Sequence, residues 1–498
     1  MRREDLTAKL SGFDGKADVH DWTWHGWHPW PLLRTRLLLA LHGEPAVPAE
    51  KPKFGARARA ALDWRRRQRH RRSRYARQKR GPEAKADVVF LSNANRSERL
   101  GTTDYNTVVD PWNEALTAGG HVVSVWNLGD PVARPLPGHV TIQAALDEIR
   151  RQPEPPVEPA PAWFLGLADF VADELDSELS WREVWRDLCL VEAYAQRFGE
   201  WLAAAQPRSL VVDCWYLCEM LGATLAAHRQ GIPVIDLQHG IQGHAHPAYA
   251  GWNRPPEGGY ETFPDRFWVW GDWDAQSLRD HNPGAFTEND VRVVGNPWIA
   301  DWSTLVPRRG GEEAREATPP PGISRTVLVT LQKGVPFRDS LVELVRASPT
   351  DWHWWIRLHR NMRERAPQLE QELRSATGRP VEVERATELP LYALLRNSSW
   401  HVTAFSTCAL EAMAFGVPTL LTDASGSHAY AEFVAQGAMH APEDLEARVA
   451  LLARDPERFA ETCRRGARRV FAGPDWRALS EVLAPAADRP PATKDASS

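Results

Sequence analysis

Short apolar, β-branched runs alternate along this chain with stretches whose apolar residues recur every three or four positions, and the alternation comes in two blocks. In the first block, residues 86–91, 121–126, 210–212, 233–237, 267–270 and 291–294 read as buried strands, with helices over 111–118 and 219–230. A helical insertion of about forty residues follows the proline-rich QPEPPVEPAP at 152–161. The second block repeats the pattern. Strands are predicted at 326–331, 354–358, 381–384, 400–404 and 419–421, and helices at 340–347, 367–377, 389–397, 409–414, 443–453 and 456–471. Strands that alternate with helices pair in parallel, so each block predicts a Rossmann-like α/β domain, the two facing a cleft. The expected division is an N-terminal Trp- and Arg-rich extension (1–85), a first domain (86–305), a linker rich in Pro, Gly and charge (306–323), a second domain (324–480) and a disordered tail (481–498).

Composition narrows the picture. Sixty basic residues against 65 acidic ones leave a net charge of −5, which does not describe a general polyanion binder. The basic residues are unevenly placed, crowding into GARARAALDWRRRQRHRRSRYARQKR at 55–80. With no nucleic-acid-binding module beside it, residues 56–80 read as a solvated arm or as a peripheral contact with anionic lipid headgroups, and nucleic acid is not an expected partner. Five scattered cysteines without a CxxC pair indicate neither a disulfide framework nor a zinc knuckle. The N-terminus lacks the apolar core of a signal peptide and no run is long enough to span a bilayer, so a cytoplasmic protein is expected. The early tryptophans Trp22, Trp24, Trp27 and Trp30 suit a cap packed on the main body, or an aromatic surface for an acceptor or a membrane.

The candidate chemistry sits where strands end, since parallel sheets bind ligands at their C-terminal edges. In WHVTAFSTCALEAMAFGVPTLLT (400–422), Ser406 and Thr407 precede a helix ended by Gly416. Two hydroxyls beside unpaired backbone N–H groups suit a phosphate, and Glu411, one turn on, suits a ribose diol. Lys333, Arg357, His359 and Arg360 follow strand ends of the same block and supply cations for a diphosphate. In the first block, the loop after residues 86–91 offers Asn93 and Arg96, and the loop after 233–237 offers Gln238, His239, Gly240, His244 and His246 as acceptor-side residues. His239 is the candidate general base, because imidazole titrates where a hydroxyl proton must be removed. No carboxylate or cysteine joins the three histidines at ligand spacing, so no metal is expected, and Asp272-Trp273-Asp274 reads as a helix cap.

The segments DVVFLSNANR, DYNTVVDPW, LQHGIQGHAHPAY, FWVWG, VVGNP, LVTLQ, WWIRLHR and FSTCALEAMAFGVP, over residues 86–475, resemble glycosyltransferases of the GT-B fold, especially the bacterial surface- and capsule-polysaccharide branch. The resemblance implies that Ser406, Thr407 and Glu411 hold the phosphate and ribose of a nucleotide-sugar donor. His359 would stand for the family's His-Pro element, with Arg360 where proline is usual. His239 would act as base or acceptor contact, with no metal or cofactor. The partners implied are a nucleotide sugar and a glycan or lipid-linked acceptor. Sugar 2-epimerases and glycerophosphate transferases share the last motif and remain alternatives, as does a binding or assembly protein that keeps the fold without the chemistry.

Overall fold

The computed structural model describes residues 3–42, 82, 84–93, 96–129, 132, 134–244, 246–253, 255–282, 286, 290–304, 311–332 and 338–484. The first block forms β1 (Val88–Asn93), β2 (Ser97–Leu100), β3 (Thr103–Asn106), β4 (Val123–Leu128), β5 (His139–Thr141), β6 (Ser209–Val212), β7 (Val234–Leu237), β8 (Arg266–Val269) and β9 (Val291–Val293). The second forms β10 (Arg325–Leu331), β11 (Trp352–Leu358), β12 (Val381–Glu382), β13 (Trp400–Thr403), β14 (Thr419–Leu421) and β15 (Met439–His440). Seven strands pair in the order β5-β4-β1-β6-β7-β8-β9 and six in the order β12-β11-β10-β13-β14-β15, every contact within them parallel. In both sheets the order reverses beside the first strand, which opens a crevice at the strand ends. Two Rossmann-like domains of the GT-B type result.

The strands form because their residues are apolar on both faces. Val88 to Leu91, Leu210 to Val212 and Val327 to Val329 are all buried, as parallel strands covered by helices on two sides must be. β2 and β3 depart from the expected polar loop. They make an antiparallel hairpin that pairs Ser97 with Asn106 and Leu100 with Thr103. Tyr105 of this hairpin packs in one apolar cluster with Trp298, Trp355, Leu391 and Tyr392, so a first-domain loop reaches the second domain.

The N-terminal segment packs on the first domain. The helices Arg3–Asp14 and Trp30–His42 share the first domain's largest core, and Trp22, Trp24, Trp27 and Trp30 are buried there with Trp185 and Phe198. Arg34 is fully buried; its guanidinium donates to the carbonyls of Pro247 (2.8 Å), Gly251 (2.8 Å) and Ala250, and lies 4.4 Å from the Trp252 ring centroid. Burial lowers its pKa to about 10, and Asp14 opposes the shift. The basic stretch 56–80 lies outside the described residues.

Two further boundaries differ from expectation. Within the linker, Gly311–Glu316 is a helix and Ala317 is buried in the Trp298–Leu391 cluster. The second domain does not run to residue 480. After the helix Glu457–Val470 the chain crosses back, Ala472 N–H donating to Trp270 O and Asp475 N–H to Val294 O, both at 2.8 Å. Ala478 and Val482 then pack with Val88 and Phe90, which orders residues expected to begin the tail. Apolar spacing in 476–483 is too short to reveal which sheet it covers.

At the crossing, a Cβ on Gly271 would overlap the Arg469 and Val470 carbonyls, and one on Gly295 would lie 2.6 Å from the Ala472 and Gly473 carbonyls. Gly295 also has φ +80°, whereas Gly378, at φ +67°, has open space around it. Gly378→Ala should cost about 1–2 kcal/mol for the left-handed backbone, and Gly295→Ala a further ~1–3 kcal/mol for overpacking. Denaturant unfolding of both variants checks the difference.

Candidate active site between the two domains

The strand ends of both domains line one polar cavity of about 320 Å³. The first domain contributes Arg96, Glu98, Gln238, His239, Trp270 and Asn296, and the second Arg357, His359, Tyr392, Ser406, Thr407 and Glu411. A neighbouring hollow of about 160 Å³ extends along the second domain past Thr330, Gln332, Leu358, Thr387 and Leu389. Glu98, Arg357, His359 and Ser406 border both.

On the second-domain wall, β13 delivers Phe405 and Ser406 to the sheet edge, where Phe405 N–H donates to Gln332 Oε1 at 3.1 Å. Ser406 Oγ accepts from Cys408 N–H at 3.3 Å, a local turn that leads into the short helix Cys408–Ala414. Glu411 is half-buried, and its Oε1 accepts from the Tyr392 hydroxyl at 2.7 Å. Burial raises the Glu411 pKa, the Tyr392 hydrogen bond lowers it, and the nearby Glu98 charge raises it. Arg357 is already engaged. One guanidinium nitrogen donates to the carbonyls of Ala386 (3.0 Å) and Leu389, and the other pairs with Glu98 Oε1 at 3.3 Å across the domain boundary. His359 is exposed at the mouth. Lys333 and the side chain of Arg360 lie outside the described residues.

On the first-domain wall, buried carboxyls shape the loops. Asp213 accepts from Ser92 Oγ (2.5 Å) and Asn93 N–H (3.3 Å), while Asn106 Nδ2 donates to the same serine at 3.0 Å. This ties the hairpin to the end of β6. Asp236 accepts from Trp215 N–H (3.3 Å), the Tyr249 hydroxyl (3.0 Å) and Gln242 Nε2 (3.1 Å), and burial pushes its pKa up to about 7. Gln238 is spent on the backbone. Its amide donates to Gly240 O at 2.9 Å and accepts from Trp270 N–H at 2.6 Å, which fixes the turn that presents His239. A Cβ on Gly240 would lie 3.9 Å from Thr407 Oγ1, so this turn faces the Ser406–Thr407 corner.

His239, expected from sequence as the base, has one ring nitrogen engaged. Cys214 N–H donates to its Nδ1 at 3.1 Å. The neutral ring therefore carries its proton on Nε2, and that nitrogen donates a hydrogen bond and has no lone pair for a substrate proton. Burial drives its pKa well below 6.5, with the Arg96 cation and His246 adding to the fall. The other acceptor-side candidates divide. Arg96 lines the cavity, whereas Asn93, His244 and His246 are not on its wall. His246 packs on Tyr216 and Tyr249 at 5.2 and 5.1 Å, and His244 on His281 and His428 at 5.4 and 6.1 Å. Among the described residues no group of three or more His, Cys, Asp or Glu is arranged to hold a metal ion. Glu98 and Tyr392 were invisible in sequence: Glu98 stood in a stretch read as loop, and Tyr392 on a helix with no polar pattern.

No family model matches the chain, and no curated protein matches it by sequence. Solved structures share its layout. They include a putative UDP-N-acetylglucosamine 2-epimerase from Listeria monocytogenes (16% identity, TM-score 0.46, 80% of this chain and 95% of that one). The UDP-GlcNAc 2-epimerase from Neisseria meningitidis bound to UDP-GlcNAc is similar at 14% identity and TM-score 0.47, covering 80% and 99%. The glycosyltransferase SnogD from Streptomyces nogalater is similar at 16% and 0.42, covering 78% and 96%. At these scores the likenesses carry no weight as to activity, and the fold assignment stands on the order of the two sheets.

The tautomer is open to direct test. Because its folded pKa lies below the unfolded value of about 6.5, His239 resists protonation, and the stability it permits at neutral pH falls as pH drops below that value. Nitrogen-15 spectra of labelled histidine should show the Nε2–H form of His239 unchanged from neutral pH down past the ordinary imidazole midpoint. An Nδ1–H form or titration near that midpoint would contradict the hydrogen bond from Cys214.

Proposed function

We propose that this protein is a glycosyltransferase that moves a sugar from a nucleotide sugar to a hydroxyl of a surface glycan or its lipid-linked precursor. The observation that carries this reading is the polar cavity between two doubly wound domains, in which strand ends of one face strand ends of the other. Its second-domain wall offers the groups a nucleoside diphosphate needs: the Ser406 and Thr407 hydroxyls and the His359 imidazole for phosphate oxygens, and Glu411, steadied by Tyr392, for a ribose diol. The narrower hollow beside Thr387, Leu389 and Leu358 is a place for the base. Lys333 and Arg360 are proposed as further phosphate contacts. The first-domain wall supplies Arg96 and the His239 Nε2–H as donors toward charge that builds on the leaving group, with electrostatic stabilisation the larger part of the rate gain. An acceptor would enter from the Arg96–Trp270 side, beside Gln238 and Gly240.

A surface-glycan acceptor fits a cytoplasmic enzyme that meets lipid-linked substrates at a membrane surface. Among the described residues no helix is long and apolar enough to cross a membrane. The basic stretch 56–80 is the proposed contact with anionic lipid. Its deletion should abolish sedimentation with phosphatidylglycerol vesicles at low salt, and retained sedimentation would remove that role.

Thermal unfolding against a panel of nucleotides tests the donor site, because a ligand held at about a hundred times its Kd adds ~2.7 kcal/mol of stability. One nucleoside diphosphate should raise the midpoint, and Glu411→Ala should weaken its binding by about tenfold to a hundredfold, in line with loss of hydrogen bonds to a charged acceptor. Product analysis with that nucleotide's sugars then separates transfer, which needs an acceptor, from epimerisation, which does not.

A further inference from the structure

We infer that Glu98 is the catalytic base of the cleft, the group that takes the proton from the acceptor hydroxyl; this rests on the transferase reading above. Removing His239 from that role leaves the cavity in need of a side chain with an available lone pair on the acceptor side. Among the described lining residues two carboxylates reach the cavity, Glu98 and Glu411. Glu411 belongs to the second domain and has an oxygen taken by the Tyr392 hydroxyl at 2.7 Å. Glu98 comes from the first domain, on β2 of the hairpin that leans across the cleft.

The two oxygens of Glu98 are differently placed. Oε1 is held by Arg357 Nη2 at 3.3 Å and by Leu391 N–H at 3.4 Å. Oε2 is buried and, among the described residues, has no hydrogen-bond partner. A buried carboxylate oxygen without a donor costs free energy unless something else will meet it, and such groups collect where a ligand is awaited. The side chain is only 16% exposed, so it is held in one orientation at the seam of the donor hollow and the larger cavity. Arg357 pairs with it, and the same arginine is pinned by the Ala386 and Leu389 carbonyls, so the pair is a fixed mount.

The step balances without a metal or a further reactant. The acceptor O–H gives its proton to Glu98 Oε2 while its oxygen forms the bond to the anomeric carbon. The bond from that carbon to the diphosphate oxygen breaks, and its electron pair leaves with the nucleoside diphosphate. The proton passes from Glu98 to water when products leave.

Glu98→Gln tests this in the full chain, because the amide keeps the size and an acceptor oxygen for Leu391 N–H and Arg357 while it removes the basic oxygen. Two quantities are read: binding of UDP and GDP by calorimetry, and release of nucleoside diphosphate from UDP-N-acetylglucosamine, UDP-glucose and GDP-mannose with water as acceptor. The expected result is nucleotide affinity unchanged or tightened, kcat lowered about 10²–10⁴-fold, and loss of the acid limb of the wild-type pH–rate profile. Turnover close to wild type would overturn Glu98 as base and leave the transferase reading standing. A fall in binding that accounts for the whole loss of turnover would also overturn it, making Glu98 a latch between the domains. If the wild-type chain binds nucleotide but releases no diphosphate from any of these sugars, the transferase reading falls and the base assignment falls with it.

Discussion

Bare backbone sets the distance between the two sheets. Where the chain leaves the helix Glu457–Val470 and returns to the first domain, its carbonyls press on Gly271 and Gly295, the residues that follow the ends of β8 and β9. Side chains at either position would hold the domains apart. The same two strand ends carry Trp270 and Asn296 into the cavity wall, so the contact that joins the domains also builds the floor of the site. Ala478 and Val482 complete the join from below, packing with Val88 and Phe90 on the other side of the first sheet. A cleft that depends on this crossing is shaped by the chain's end as much as by either domain's own core.

Within that cleft, charge is balanced across the boundary. The Glu98–Arg357 pair links the hairpin of one domain to β11 of the other, and both side chains are largely shielded from water. Removing one partner from such a pair leaves an uncompensated charge, a far larger penalty than the pair itself contributes in stability. The pair therefore constrains orientation more than it adds to stability. Around it stand the Nε2–H of His239, the hydroxyls of Ser406 and Thr407, and the cation Arg96 of the first-domain wall. Such a surround favours an anionic ligand without trapping it as tightly as a cluster of lysines would.

The second layer explains why these side chains point where they do. Asp213 and Asp236 sit at the ends of β6 and β7, fully enclosed; Asp213 accepts from Ser92 and Asn93 at the end of β1, and Asp236 from Trp215, Gln242 and Tyr249. Arg34, from the N-terminal helix Trp30–His42, holds the carbonyls of residues 247, 250 and 251 in the same loop region. The tryptophan-rich N-terminus thus acts on the site at one remove, as packing that keeps the Gln238–Gly251 loop in shape.

Much of the fold was legible in the chain itself. Period-two and continuous apolar runs are read from neighbours a few residues apart, so the strands at 86–91, 210–212, 326–331 and 400–404 and the helices after them follow from local chemistry, as does the parallel α/β class. Ser406, Thr407, Glu411, His359 and Arg357 were legible as strand-end residues because position along a strand is a local property too. Contacts between distant segments were not. Whether His239 accepts or donates depends on the Cys214 amide, 25 residues away in sequence. Whether residues 481–483 form a tail or a wall depends on the other domain's sheet, and Glu98 becomes a site residue only because β2 and β3 fold over the boundary. Local periodicity determined the elements and the edge at which a ligand is met. The tertiary structure alone decided which lone pairs remain available there, because each is granted or withdrawn by a partner that no spacing rule places.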